Sequence, residues 1–159
     1  MFLDRVKIWV RAGAGGDGAA TFRREAHVPL GGPDGGDGGR GGSIHLRVDP
    51  GQTTLRDFRF RHHFKAGRGR HGSGNQKTGK QGEDLIIRVP VGTVIHDADS
   101  GSVLRDLAQA GERVVIAEGG RGGCGNAARN AGRGGAGVAR DGEATPGGSG
   151  EQRRLTLEL

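Results

Sequence analysis

Three glycine-rich tracts interrupt this chain and limit its fold more than any other feature. They lie at 13–18, 31–42 and 119–137, and glycine supplies 35 of the 159 residues. Each glycine inside a helix costs about 0.5–1 kcal/mol relative to alanine. A bundle of helices is therefore disfavoured, and the tracts need either an unusual packed backbone or no fixed structure.

Triplets with two glycines each make up most of the second tract and open the third. Examples are Gly38-Gly39-Arg40 and Gly122-Gly123-Cys124. A period of three matches the polyproline II helix, which has three residues per turn and no internal hydrogen bonds. Inside a packed structure its backbone groups must pair with neighbouring segments, and two glycines per triplet predict close neighbours on two sides. The predicted structural glycines are Gly35, Gly36, Gly38, Gly39, Gly41, Gly42, Gly119, Gly120, Gly122 and Gly123.

The alternative for these tracts is a flexible linker or a disordered RNA-binding segment. Two observations weigh against it. The tracts alternate with strand patterns instead of forming one tail, and the Ser and Gln that usually fill flexible linkers are scarce inside them.

Short strands separate the tracts. Alternating apolar residues predict six of them, at 6–11, 44–48, 85–91, 93–96, 113–116 and 155–159. Pro90 places the third strand at a sheet edge or a bulge. Only Val103 to Ala110 has a helical pattern, for two turns at most. The predicted fold class is therefore all-β, with short strands.

Positive charge is concentrated in two segments of an otherwise acidic chain with a net charge of +6. Residues 56–80 contain eight Lys or Arg and one acid, Asp57, while residues 121–140 contain four Arg and no acid. This distribution favours an anionic partner met at particular places. The alternative is an ordinary solvated surface. The single Cys124 and the lack of a long apolar run favour a cytosolic protein.

The sequence contains only partial matches to known cofactor-binding motifs. Glycine patterns at 13–18 and 67–72 match the dinucleotide fingerprint, but no helix is predicted after either. The run Gly74–Lys80 matches the start of a P-loop, yet Gln81 stands where Ser or Thr would hold Mg²⁺. The spacing of the histidines and the cysteine matches no common zinc pattern. The sequence therefore predicts no catalytic residue, no metal site and no cofactor in this chain.

Residues that carry a family resemblance lie along nearly the whole chain. The most specific are Ala12–Gly18, Phe22–Glu25, Pro29–Ser43, Val89–Val94 and Gly119–Asn126. In this order they resemble the N-terminal glycine-rich domain of the Obg family of GTPases. The resemblance implies the Obg fold, in which a small β-barrel or sandwich base of about eight strands carries a bundle of six glycine-rich polyproline II helices. The family's usual aromatic residue is missing from the stretch after Asn126.

The resemblance also implies a function. Residues 1–159 would form a single Obg domain, and the GTPase domain of the parent protein would be absent from this chain. The parent would be a cytoplasmic GTPase that uses GTP and Mg²⁺, takes part in assembly of the large ribosomal subunit, and is linked to stress and growth control. This domain would be the non-catalytic part that docks on ribosomal RNA, with regulatory proteins as further partners.

The predicted RNA-binding residues belong to three loop tips. They are Arg23, Arg24 and His27; Lys65, Arg68, Arg70, His71, Lys77 and Lys80; and Arg129, Arg133 and Arg140. Arginine suits this role because its guanidinium group can donate two parallel hydrogen bonds to a phosphate. One alternative is a protein–protein or self-association module that uses the polyproline II bundle as a flat contact face. Another is a nucleotide enzyme that uses the loop Gly74–Lys80.

Overall fold

Two sheets form the base of the molecule. The computed structural model describes residues 5–23, 31–127 and 143–159. Within them the strands are β1 Arg5–Arg11, β2 Ile44–Val48, β3 His63–Lys65, β4 Leu85–Val89, β5 Thr93–Asp97, β6 Val103–Leu107, β7 Arg113–Ala117 and β8 Gln152–Glu158, with a 3₁₀ helix at Arg56–Arg59. The sheet orders are β3-β1-β8-β5-β6 and β4-β2-β7. No helix in these ranges is long and apolar enough to cross a membrane. The all-β fold class is confirmed.

Alternation along the strands directs apolar side chains into one core between the sheets. Ile8 of β1, Leu46 of β2 and Leu155 of β8 are all fully buried. Burying each such side chain stabilises the fold by about 1.5–3 kcal/mol. Phe58 and Phe64 close the core beside the 3₁₀ helix, with ring centroids 5.9 Å apart.

Among the described residues, six extended segments rise from the base and form a bundle. We label them PP1 (12–19), PP2 (35–42), PP3 (67–73), PP4 (77–83), PP5 (118–126) and PP6 (145–151). Each continues a strand: PP1, PP3 and PP5 leave β1, β3 and β7, while PP2, PP4 and PP6 lead into β2, β4 and β8. The segments therefore alternate in direction. The end of the bundle away from the sheets, called here the distal end, includes Thr21–Arg23, Gly31–Asp34 and the turn Ser73–Lys77.

Hydrogen bonds between these segments repeat every three residues. The N–H groups of Gly13 and Gly16 in PP1 donate to the carbonyls of Gly42 and Gly39 in PP2, at N···O distances of 2.9 and 2.8 Å. The N–H group of Gly15, from another position of the triplet, donates to Gly148 in PP6 at 2.9 Å. The spacing is that of a polyproline II helix. The described parts of the tracts, which end at residue 127 in the third, are therefore packed structure and not linkers.

The bundle has three layers, and the glycines lie where segments approach most closely. PP1 and PP2 form the middle layer, PP3 and PP4 cover one side, and PP5 and PP6 cover the other. A Cβ at Gly38 of PP2 would lie 1.8 Å from the carbonyl oxygen of Gly16, and a Cβ at Gly39 would lie 2.2 Å from that of Lys80. The two glycines of a triplet thus face different neighbours, which confirms the predicted crowding on two sides.

Two strands differ from the sequence predictions. The helical prediction for Val103–Ala110 is wrong, because Val103–Leu107 is the edge strand β6, paired antiparallel with β5. Strand β3, at His63–Lys65, was not predicted. Pro90 follows the last residue of β4, which lies at an edge of the three-stranded sheet as predicted.

Candidate functional site

The predicted RNA-binding residues that the structure describes lie along one side of the bundle. Arg23 is at the distal end, and Lys77 closes the turn beside it. Arg70 and Lys80 face each other halfway down the PP3–PP4 pair, where the Arg70 N–H donates to the Lys80 carbonyl at 2.9 Å. The predicted residues Arg24, His27, Arg129, Arg133 and Arg140 lie outside the described residues.

Two other predicted residues lie further from the distal end than a loop tip would place them. Arg68 is near the start of PP3, and Lys65 is in β3, where it pairs with Arg11 of β1. The cations at Lys65, Arg68, Arg70, Lys80 and Lys77 are all exposed. They form a stripe that begins at the end of β3 and continues along PP3 and PP4, called here the basic stripe, instead of one cluster at a tip.

The basic stripe carries charge that the described residues do not neutralise. Among them, no carboxylate forms an ion pair with any of its five cations. Several arginines of the base do have carboxylate partners, such as Arg5 with Glu158 at 3.4 Å and Arg105 with Glu112 at 3.1 Å. The stripe can therefore contact an external anion without breaking an ion pair to these residues.

His71, also predicted to bind RNA, makes a contact within the bundle. Its Nδ1 accepts a hydrogen bond from the backbone N–H of Asp17 at 2.8 Å and thereby joins PP3 to PP1. The same nitrogen lies 3.6 Å from Asp17 Oδ2. His71 is exposed, so its ring can also contact a ligand.

Asp34 organises the distal end. Its carboxylate accepts hydrogen bonds from Thr21 Oγ1 at 2.6 Å and from the N–H of Asn75 at 3.2 Å, and its carbonyl accepts one from Gln76 at 2.7 Å. The Thr21 hydroxyl and then the Asn75 amide hold the pKa of this carboxyl below its usual range. Asp34 thus joins the turn Ser73–Lys77 to the residues that flank Arg23.

Sequence reasoning missed a set of polar residues that tie the segments together. Asp17 accepts a hydrogen bond from Gly147 of PP6, and Asp37 accepts one from Gly125 of PP5, both at 2.8 Å. The amide of Asn126, which is 1% exposed, bonds to Gly35 and Thr21. A signal was present, because Asp17 and Asp37 each follow a glycine pair as the third residue of a triplet.

The loop that approximates a P-loop does not fit a nucleotide phosphate. The N–H groups of Asn75 and Gln76 donate to Asp34, and that of Gly79 donates to the Asp37 carbonyl at 2.8 Å. A P-loop needs such amides for the phosphates, and it needs a following helix. Here PP4 and strand β4 follow instead. Among the described residues no group of His, Cys, Asp and Glu could hold a metal ion.

Comparison with known proteins agrees with this architecture. Residues 3–159 match the protein family described as GTP1/OBG. The chain belongs to this family. The GTPase Obg of Desulfitobacterium hafniense is 53% identical over 160 residues, which cover all of this chain and 37% of the relative. That of Sulfurihydrogenibium sp. is 51% identical over 160 residues, all of this chain and 45% of the relative.

A further Obg relative, from Moorella thermoacetica, is 60% identical over 127 residues, which are 80% of this chain and 30% of the relative. The chain thus spans less than half the length of the relatives it matches. The family assignment expected from the glycine motifs is confirmed.

Proposed function

We propose that this Obg-family chain is a non-catalytic docking module for the RNA of the large ribosomal subunit. It would serve a GTPase domain elsewhere in the same polypeptide, and that domain would bind GTP and Mg²⁺. The parent protein would be cytoplasmic and would act in assembly of the large subunit and in stress and growth control. The name GTPase Obg, which the relatives carry, supports the GTPase part of this proposal.

The observation that carries the docking role is the basic stripe. Five exposed cations follow two neighbouring segments, and no described carboxylate pairs with them. Phosphate contacts supply most of the sequence-independent affinity of a protein for nucleic acid, because they release condensed counterions. A row of unneutralised Lys and Arg on an exposed surface is suited to such contacts.

The packing of the bundle supports the same role. Each segment is held by backbone hydrogen bonds at every third residue, and close contacts leave little room for the backbone to move. A ligand that binds such a surface loses less free energy in ordering the protein than one that binds a flexible loop. The glycine bundle thus acts as a stiff support that carries cations away from the base.

A salt series tests this proposal. The 159-residue chain is sedimented with purified large ribosomal subunits over a range of KCl concentrations, with small subunits as the control particle. If the five cations of the basic stripe meet phosphates, log affinity falls against log salt with a slope of about −3.5 to −4.5. Binding that is insensitive to salt, or equal for both subunits, would contradict the proposal; the first result would favour the self-association alternative.

A further inference from the structure

Two rows of side chains lie in register on the outer face of the five-stranded sheet. In the first row Trp9 of β1 lies between His63 of β3 and Arg154 of β8. In the second row Arg11 of β1 lies beside Lys65 of β3. Residues in register on neighbouring strands point to the same side of a sheet. Aromatic and cationic side chains are therefore brought together on a face that the basic stripe adjoins.

The first row contains a stacked aromatic pair. The rings of Trp9 and His63 are nearly parallel, at 13°, with centroids 4.9 Å apart, and His62 packs against both at a tilt. His63 is exposed and lies in β3, which is the edge strand of the sheet. Another flat ring can extend the stack beyond His63, because no further strand among the described residues pairs with β3 on that side.

The second row contains two cations in direct register. Like charges opposite each other on neighbouring strands repel, and no described carboxylate forms an ion pair with Arg11 or Lys65. Both residues line a groove of about 810 Å³ together with Trp9 and His63. The other cations of this groove are neutralised, since Arg153 pairs with Glu151 and Arg154 with Asp99. An anionic group of a ligand that binds between Arg11 and Lys65 would therefore reduce the repulsion between these two side chains.

We propose that this groove binds an unpaired nucleotide of single-stranded RNA. The base extends the stack of His63 on Trp9, and the adjacent phosphate lies between Arg11 and Lys65. Stacking on aromatic side chains combined with a cationic groove is the usual chemistry of single-strand recognition. The inference rests on the proposed function only in taking RNA as the source of the nucleotide.

The basic stripe favours an RNA strand over a free nucleotide. Lys65 ends β3, and Arg68 follows three residues later at the start of PP3. A strand whose base is held at His63 can therefore continue along the stripe with its phosphates. A free mononucleotide would use only the groove and would gain nothing from the cations beyond it.

Tryptophan fluorescence gives a direct test, because Trp9 is the only Trp and the chain has no Tyr. The chain is titrated with a six-residue adenosine oligoribonucleotide at low salt, and with adenosine monophosphate at the same nucleotide concentration. We expect saturable quenching by the oligonucleotide, with at least tenfold weaker binding of the monophosphate. Equal affinity for the two ligands, or no quenching by either, would overturn the proposal.

Variants separate the two parts of the site. Arg11→Gln with Lys65→Gln should weaken oligonucleotide binding at least tenfold, and His63→Ala at least fivefold. The control pair Lys7→Gln with Arg47→Gln removes two exposed cations of the base outside the groove and should change affinity less than twofold. An unchanged urea midpoint, followed by far-UV circular dichroism, shows that the unliganded variants are folded. If the groove variants bind as tightly as the control pair, the groove is not the site.

The same variants distinguish this inference from the proposed function. The double variant Arg11→Gln with Lys65→Gln is titrated and sedimented in parallel. If the oligonucleotide no longer quenches its Trp9 but the variant still sediments with large subunits, the groove and the docking surface are two separable contacts. If the oligonucleotide never quenches Trp9 but sedimentation persists, the groove inference fails and the docking function stands. If quenching persists but sedimentation is absent, the docking function fails and the groove remains a single-strand site.

Discussion

At the scale of single residues, the bundle glycines differ in what an added methyl group would meet. Gly38 and Gly148 both donate backbone hydrogen bonds between segments. A Cβ at Gly38 would lie 1.8 Å from a carbonyl oxygen, whereas at Gly148 the nearest atom would be 3.4 Å away. Neither has the left-handed φ found at Gly92, Gly101 and Gly111. Close approach, and not backbone conformation, is therefore the reason for glycine at position 38.

This difference gives a matched pair of substitutions. Gly38→Ala should lower the free energy of unfolding by about 3 kcal/mol or more, because two packed segments must separate. Gly148→Ala should change it by no more than about 0.5 kcal/mol. Urea unfolding followed by Trp9 fluorescence measures both. Equal midpoints for the two variants would mean that the segments are less tightly packed than described.

Asp34 gives a prediction for pH. Its folded-state pKa lies below the unfolded value of 3.8, mainly because of the Thr21 hydroxyl. A lowered carboxyl pKa stabilises the fold above the unfolded pKa, and this contribution is lost as the pH falls through the folded pKa. Asp34→Asn should therefore lower the urea midpoint at pH 7, and its difference from the native chain should shrink below pH 3.8.

The control for this experiment is Asp106→Asn, since Asp106 is exposed on the edge strand β6. Asp106→Asn should leave the urea midpoint unchanged both at pH 7 and below pH 3.8. A difference between Asp34→Asn and the native chain that persists unchanged in acid would show that the charge of Asp34 is not what stabilises the distal end.

At the scale of elements, the three-stranded sheet carries three arginines in register. Arg47 of β2 lies between Arg88 of β4 and Arg113 of β7 on the exposed face. Asp49 reaches Arg88 only at 3.9 Å, and Arg113 bonds to His45. Like charges in register destabilise a sheet. The row is therefore a local cost to the stability of the base.

Removing the central charge should relieve this cost. Arg47→Gln should raise the free energy of unfolding by about 0.5 kcal/mol at low ionic strength, and the gain should fade at 1 M salt because of screening. Lys7→Gln is the control, since Lys7 lies opposite the uncharged Thr156. Denaturant melts at two salt concentrations measure both variants. A gain that is the same at both concentrations would not be electrostatic.

How far the elements could be predicted from the sequence depends on how they are stabilised. Alternation identified β1, β2 and β4, because burial of one face leaves a period of two. It failed for β6, whose first four residues are exposed and which exists through its pairing with β5. It also failed for β3, which has three residues and a single buried one, Phe64. A strand that is held mainly by pairing at a sheet edge buries few side chains, so its sequence shows little alternation of apolar and polar residues.

The residues of the candidate site also differ in whether the sequence could indicate them. Clusters of Lys and Arg in the sequence pointed to the cations of the basic stripe. They could not show that Lys65 lies in the base, since its position depends on pairing with Arg11. The roles of Asp17, Asp34 and Asn126 depend on contacts between segments far apart in the chain. The glycine triplets mark the position of Asp17, but no local pattern identifies the partners of these three residues.

At the scale of the whole molecule, this chain should not hydrolyse GTP, and its loop Gly74–Lys80 should not bind the nucleotide. The amides of the loop near Lys80 are bonded within the protein, and no helix follows them. Calorimetry with GTP and Mg²⁺ should show no low-micromolar binding, and Lys80→Ala should give the same heats as the native chain. Low-micromolar affinity that Lys80→Ala abolishes would overturn this view of the loop.

The central claim is that cations of the bundle, and not the overall charge, dock the chain on the large ribosomal subunit. Two quadruple variants compare the surfaces with the same change in charge. One changes Arg68, Arg70, Lys77 and Lys80 to Glu; the other changes Lys7, Arg47, Arg56 and Arg59, which are exposed on the base. Melting curves of both should stay close to that of the native chain, because exposed side chains contribute few core contacts.

The affinity of each quadruple variant for large subunits is then measured by sedimentation at one fixed salt concentration. We expect the bundle variant to lose affinity roughly 100-fold or more, because four phosphate contacts are replaced by repulsion. The base variant should lose less than about fivefold, through long-range charge alone. Equal losses in the two variants would show an effect of bulk charge, and unchanged binding in the bundle variant would contradict the docking role of the stripe.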